Sequence, residues 1–380
     1  MPAPMLDVNR QNQPLREELL AAIAEVCDSG AYVNGPACKR FEAAAAEYCG
    51  VEHAVGCASG TDALLLALMA VGVGPGDEVI IPSFTFFATA GSVHRLGAKP
   101  VFADLIPETF NIDPADIERK ITAKTRAIIP VHLFGQAADM AAINDLAAMH
   151  QLPVIEDAAQ AIGATFEGRR AGGLGTIGCF SFYPTKNLGG MGDGGLITTD
   201  DAEIAAKIRV LCDHGQSPRY HHGLVGVNSR LDAIQAAALG VKLPHLDGYA
   251  AARTRHAARY ADELAGLAGV VTPVEAPGCG SVWNQYTIRV EHGAREALRE
   301  HLATNKIGAA IYYPIPLHLQ ECFADLGHKP GDLPHTELAA EEVLSLPVFP
   351  ELAVEEQSDV IAAVRQFAAG MVGAGLADAA

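Results

Sequence analysis

The chain has 380 residues, 49% apolar and 19% charged, which is long enough for two globular domains and too apolar for a disordered protein. A formal net charge of −18 argues against a nucleic-acid backbone as partner, and no run approaches the ~20 apolar residues of a membrane span. Eight cysteines show no C-x-x-C pair and no zinc spacing, so they read as buried or half-buried thiols in a reducing compartment, with no metal site.

The first residues, Met1-Pro2-Ala3-Pro4-Met5-Leu6-Asp7, lack the basic and apolar regions of a secretory signal, and a cytoplasmic location is expected. Leu15, Leu19, Leu20, Ile23 and Val26 recur at helical spacing until Gly30, and a second helix over 41–48 is closed by Gly50. Seven short apolar strands follow, at 53–57, 78–81, 100–103, 127–131, 153–156, 179–182 and 195–198. Helical patterns at 63–71, 115–121 and 137–149 lie between them. Short apolar strands separated by helices predict an α/β unit whose mostly parallel sheet is covered on both faces, with ligands at the carboxyl ends of its strands. Residues 1–245 are assigned to this large domain. Residues 246–380 read as a smaller α+β domain, with helices at 246–267, 295–304, 336–344 and 354–369 and strands at 282–290 and 309–313. The N-terminal segment is expected to pack on the smaller domain, and residues 370–380 are expected to fray.

Six segments could carry chemistry. In Ser59-Gly60-Thr61-Asp62, between a strand and a helix, Ser59 or Thr61 can cap the helix, and its N-terminus suits a phosphate. Pro82-Ser83-Phe84-Thr85-Phe86-Phe87-Ala88-Thr89 offers aromatic rings at a strand end, as core or as a stacking surface. Glu156-Asp157-Ala158-Ala159-Gln160 puts a carboxylate at the end of a strand. Ser181-Phe182-Tyr183-Pro184-Thr185-Lys186-Asn187 leads into a glycine-rich loop whose spacing is not that of a mononucleotide site. Asn228-Ser229-Arg230-Leu231-Asp232 looks like the start of a capped helix, and Tyr313-Pro314-Ile315-Pro316-Leu317-His318 like an extended segment offering Tyr and His. Taken singly, a solvated loop lysine and a helix-capping aspartate are the plain readings of Lys186 and Asp157. Together, an amine and an acid at neighbouring strand ends can hold an aldehyde cofactor, the amine as a Schiff base and the acid against a ring cation.

In order and spacing these six segments resemble the DegT/DnrJ/EryC1/StrS sugar aminotransferases, over about residues 6–367. The resemblance implies a pyridoxal-phosphate enzyme of fold type I, with a seven-stranded sheet in its large domain. It implies that Lys186 joins the cofactor and moves protons, and that Asp157 pairs with the ring nitrogen. Phe86 would stack on the ring and Gln160 reach its hydroxyl oxygen, while Gly60, Thr61 and Ser181 would hold the phosphate. Asn228 would reach the phosphate of a neighbouring subunit, making a homodimer with shared sites, and Tyr313 and His318 are expected to face the substrate. L-glutamate is the expected amino donor, and a keto carbon of a nucleotide-linked hexose, carbon 3 rather than 4, the acceptor. A dehydratase branch of the family carries His in place of the lysine, and this chain keeps Lys186. A non-catalytic regulatory relative, the remaining alternative, would need neither Lys186 nor Asp157.

Overall fold

The computed structural model describes residues 3–373. Its centre is a sheet of seven strands: β1 (His53–Cys57), β2 (Glu78–Pro82), β3 (Lys99–Ala103), β4 (Thr125–Ile128), β5 (Ile155–Asp157), β6 (Ile177–Ser181) and β7 (Gly195–Thr199). Four strands pair in the order β1-β7-β6-β5 and three as β3-β2-β4. Parallel bridges Ile128↔Val154 and Val131↔Asp157 join the two sets. The predicted strands thus all occur, with ends shifted by a few residues. Only β7 is antiparallel to its neighbours. The 182–194 connection before it holds no helix to carry the chain back for a parallel return.

The pairing register sets the site. Cys57 of β1 stands opposite Gly195 of β7, Gly195 opposite Ser181 of β6, and Cys179 of β6 opposite Asp157 of β5. The carboxyl ends of β1, β6 and β5 therefore share one edge. The helix Gly60–Ala70 runs away from that edge beneath the strands. Its Ala-Leu run is buried on nearly all sides, as expected of a helix apolar all round. The capped helix start expected at 228–232 leads into the helix Ala233–Lys242, whereas two further helices, Phe87–Arg95 and Ala202–Cys212, were not predicted. The first contains Thr, Gly, Ser and Val, weak helix formers, and is held by burial of Thr89, Ala90, Ser92 and Val93 against the sheet.

The C-terminal part begins with the helix Leu246–Leu264. Asp247 in its first turn accepts from Tyr48 Oη at 2.6 Å and from both terminal nitrogens of Arg170, which ties it to the large unit. A three-stranded antiparallel sheet follows, in the order β8 (Val270–Val271), β9 (Tyr286–Val290), β10 (Val343–Leu346). Tyr260, Tyr286, Leu298, Leu302, Leu344 and Val364 form its core. The N-terminal segment does pack here: Ala3 bridges to Ile307, and Arg10 pairs with Glu356 at 2.7 Å.

Several expectations are corrected. The 309–313 stretch is not a strand; only Ala310 pairs with the sheet, at Ser345, before the prolines turn the chain away. The predicted 336–344 helix is Pro334–Glu342, and the chain then extends into β10. The 282–290 strand starts at Tyr286, because Val282 N and Asn284 N donate to the large unit at Gly135 O and Phe134 O. The last helix runs through Gly370 to Gly373, and the rest of the segment expected to fray lies outside the described residues. Leu317, Phe323 and Leu333, from the C-terminal part, pack into the core under β2 and β3. Cys27 and Cys322 are exposed rather than buried, and all eight cysteines are free thiols.

Phe41 is 1% exposed and meets Phe182 edge-on, with ring centroids 5.4 Å apart. Replacing it with alanine should cost about 3–5 kcal/mol. Thermal or urea unfolding of Phe41→Ala checks this; a loss below ~1 kcal/mol would show that the contact does not anchor the segment leading to Lys186.

Candidate active site

Lys186 sits in the 182–194 connection, which is tied down at many points. Phe182 N donates to Gly194 O and Gly190 N to Phe182 O, both at 2.8 Å, and Lys186 N closes a turn on Tyr183 O. Asn187, buried, donates to Val282 O and accepts from Asn284. Gln235 Oε1 accepts from Met191 N at 2.7 Å, and the buried Lys242 Nζ donates to Gly189 O at 2.6 Å. Gly189 is required, because a Cβ there would overlap the Pro184 carbonyl. Within this frame the Lys186 amine makes no hydrogen bond among the described residues. Burial pushes its pKa down to about 8, with the nearby Asp157 carboxylate pulling the other way.

Asp157, 5% exposed, ends β5 one strand away. Its Oδ2 accepts from Thr89 Oγ1 at 2.8 Å and its Oδ1 from Ala159 N at 3.3 Å. Burial raises its pKa above the usual carboxylate value, and the Thr89 and Ala159 bonds, Lys186 and His132 oppose that shift. The preceding Glu156 points to the other side of the strand. There it is satisfied by the backbone N–H groups of Gly172, Leu174 and Gly175 and by His132 Nε2 at 2.9 Å. His132 Nδ1 accepts from Ala138 N, so Nε2 carries the proton and donates to Glu156.

At the same sheet edge Ser59 caps the helix Gly60–Ala70, its Oγ accepting from Asp62 N at 3.1 Å. Gly60 lies against Ser181: an added Cβ would stand 2.6 Å from Ser181 Cβ. Gly60, Thr61 and Ser181 are thus brought together where helix N–H groups have no partner within the helix, a setting that suits a phosphate. Phe86, 58% exposed, precedes the helix Phe87–Arg95, its ring 6.3 Å from that of Tyr313. Gln160 uses its Oε1 to accept from Phe134 N at 2.7 Å and donates from Nε2 to Tyr313 Oη at 3.2 Å. One Nε2 hydrogen remains for another acceptor. Asn228 is exposed on the loop before the helix Ala233–Lys242.

His318 departs from expectation. It is 1% exposed, and Ser83 Oγ accepts from its backbone N–H and bonds its Nδ1 at 2.7 Å, while Nε2 faces Glu337 Oε1 at 3.2 Å. Both ring nitrogens are engaged, which leaves none for a substrate. Sequence reasoning passed over two contributors. Ser229, fully buried beside the exposed Asn228, accepts from Ala58 N and donates to Asp62 Oδ2, bracing the phosphate-facing turn. Thr89 holds the acid. Ser229 was visible only as part of a capped-helix pattern and Thr89 as one residue of an aromatic run.

The fit to an aldehyde cofactor with a cationic ring and a phosphate rests on groups this chain leaves unsatisfied. They are a desolvated amine without a hydrogen bond among the described residues, a buried carboxyl whose pKa burial raises, an exposed aromatic face and an open helix N-terminus.

Residues 13–365 match the model of the DegT/DnrJ/EryC1/StrS aminotransferase family. The chain is 52% identical over 97% of its length to a Geobacillus stearothermophilus protein named pleiotropic regulatory protein, covering 99% of it. It is 47% identical, over 96% of this chain and 97% of the other, to an Acidithiobacillus ferrooxidans UDP-N-acetyl-3-dehydro-alpha-D-glucosamine 3-aminotransferase. Among solved structures, Streptomyces venezuelae DesV in complex with a ketimine intermediate superposes with a TM-score of 0.94 at 46% identity, over 96% of this chain and 98% of that one. The Bacillus subtilis protein NtdA with bound cofactor PMP gives 0.91 at 34%, over 97% and 86%.

Gly60→Ala should force Ser181 aside, cost about 1–3 kcal/mol and weaken anion binding at this turn. Calorimetry with inorganic phosphate and thermal unfolding read the two effects; an unchanged melting point would show the packing to be looser than described.

Proposed function

Because the chain belongs to the DegT/DnrJ/EryC1/StrS aminotransferase family, we propose that it is a pyridoxal-phosphate-dependent aminotransferase of fold type I, moving an amino group from L-glutamate to a nucleotide-linked keto hexose. The observation that carries this reading is that the desolvated Lys186 amine, on the loop after β6, and the buried Asp157 carboxyl, at the end of the adjacent parallel β5, lie near each other without bonding. The name of the Acidithiobacillus relative, a 3-aminotransferase, supports carbon 3 as the site of amination. A nucleotide-linked substrate, made inside cells, supports a cytoplasmic location. The regulatory name of the Geobacillus relative suggests a second reading, but a binding-only protein gains nothing from burying an amine and an acid at this cost.

Lys186 would hold the cofactor's aldehyde, Asp157 its ring nitrogen, Phe86 its face and Gln160 its hydroxyl oxygen. Gly60, Thr61 and Ser181 would hold its phosphate. When bound, the cofactor supplies a conjugated, positively charged ring that can accept the electron pair left when a carbon loses its proton. The chain's own task is to move that proton. Lys186 Nζ, neutral at pH values above about 8, serves as the base and, once protonated, as the acid that returns the proton to a second carbon. Asp157 would face the ring cation, whose charge would offset the burial that raises its pKa. Tyr313, tied to Gln160, borders the space for the sugar. Asn228 would reach a partner subunit's phosphate across a homodimer interface, a reading supported by its exposure and by the exposed Tyr220, Leu224 and Val225 nearby in the chain.

Three outcomes follow. The protein incubated with pyridoxal phosphate should turn yellow, at a rate that rises with pH through a midpoint near 8 before levelling off, since only the neutral amine reacts. Lys186→Ala should show neither the colour nor detectable glutamate-dependent amination of a keto nucleotide sugar by mass spectrometry. Unchanged turnover in that variant refutes the assignment. Asn228→Ala should loosen cofactor retention by about tenfold in the dimer. A fully active monomer by analytical ultracentrifugation contradicts the shared site.

A further inference from the structure

The run from Ser83 to Thr89 is only partly used by the reading above, which takes Phe86 alone. The Asp157 backbone is fixed by the sheet: its N donates to Pro130 O at 2.9 Å and its O accepts from His132 N at 3.0 Å. Its carboxylate, in contrast, receives one side-chain hydrogen bond among the described residues, from Thr89 Oγ1 at 2.8 Å. Thr89 is fully buried, so no water can replace that hydroxyl. Behind it stands Thr85 Oγ1, 3.4 Å away and 3% exposed. Thr89 N donates to Phe86 O at 3.3 Å, so one short segment carries both the exposed ring and the hydroxyl aimed at the acid.

We propose that Thr89 is a positioning residue for Asp157: its hydroxyl fixes the orientation of the carboxylate, strengthens its ionised form, and couples it to the segment that presents Phe86. The proposal rests on the function proposed above, and it adds the residue that keeps the acid aimed. A hydroxyl has one proton to give, and an ionised carboxylate oxygen is the acceptor that binds it most strongly. The other titratable groups around Asp157 are Lys186 on the loop after β6, His132 after β4, Cys179 on β6 and Tyr313 on the C-terminal segment. Lys186 favours the ionised form through charge, without a direct bond to it.

Thr89→Val keeps the shape and removes the donor, whereas Thr89→Ser keeps the donor. In the loaded protein, Thr89→Val should raise the dissociation constant for pyridoxal phosphate by about tenfold and lower kcat by at least as much. The KM for glutamate should stay within about twofold, and the pH midpoint of the visible absorbance band should move. Thr89→Ser should behave as the unaltered protein. The cofactor-free protein gives an independent readout. Losing the donor raises the carboxyl's pKa further, so the melting-point deficit of Thr89→Val relative to Thr89→Ser should be small where Asp157 is protonated and grow as rising pH ionises it. Equal cofactor affinity in the two variants, with a deficit independent of pH, overturns the proposal. If the unaltered protein takes up no pyridoxal phosphate, the functional reading fails, and the cofactor-free comparison alone decides the role of Thr89.

Discussion

The structure depends on a half-buried amine and a buried carboxyl near neighbouring strand ends that do not neutralise each other. Among the described residues Lys186 makes no hydrogen bond through its amine, and Asp157 bonds Thr89 and Ala159 rather than Lys186. Withdrawing such groups from water is expensive, and a close ion pair would offset part of that cost. This fold keeps them apart instead, and each shifts toward its neutral form. A ligand with an electrophilic carbon for one group and a cation for the other would satisfy both.

Holding that arrangement open requires a rigid surround. The loop bearing Lys186 is fixed from below by Lys242, from the side by Gln235, and from the C-terminal unit by Asn284 and the carbonyl of Val282. On the far side of β5, Glu156 is fully occupied by three backbone donors and His132, so the strand carrying Asp157 has little freedom to twist. The segments on either side of the site belong to different parts of the chain. Ser83 and His318 join the strand end bearing Phe86 to the segment bearing Tyr313. A change in how the C-terminal unit sits would therefore be felt at the cofactor-facing groups, through contacts rather than through the site residues themselves.

Much of this was legible in the sequence, for physical reasons that differ between elements. The seven sheet strands are short, apolar and β-branched, and buried strands of a parallel sheet carry a strong signal of that kind. The chemistry was legible because an amine, an acid and a glycine-rich turn must occur at strand ends. The helix Phe87–Arg95 was hidden because tertiary packing overrides its weak propensity. The 309–313 stretch looked like a strand because Ile311, Tyr312 and Tyr313 suit one, yet they pack beside the Phe84 cluster instead of pairing. His318 misled for a similar reason. A histidine after two prolines looks available, and only the placement of Ser83 and Glu337 shows that it is consumed inside the fold.

The most direct measurement is chemical. The protein is loaded with pyridoxal phosphate, reduced with borohydride, digested, and its peptides are mapped by mass spectrometry. The account predicts a pyridoxyl group on Lys186 and no other lysine. Its absence, or its appearance on Lys242 or a surface lysine instead, would contradict the central claim.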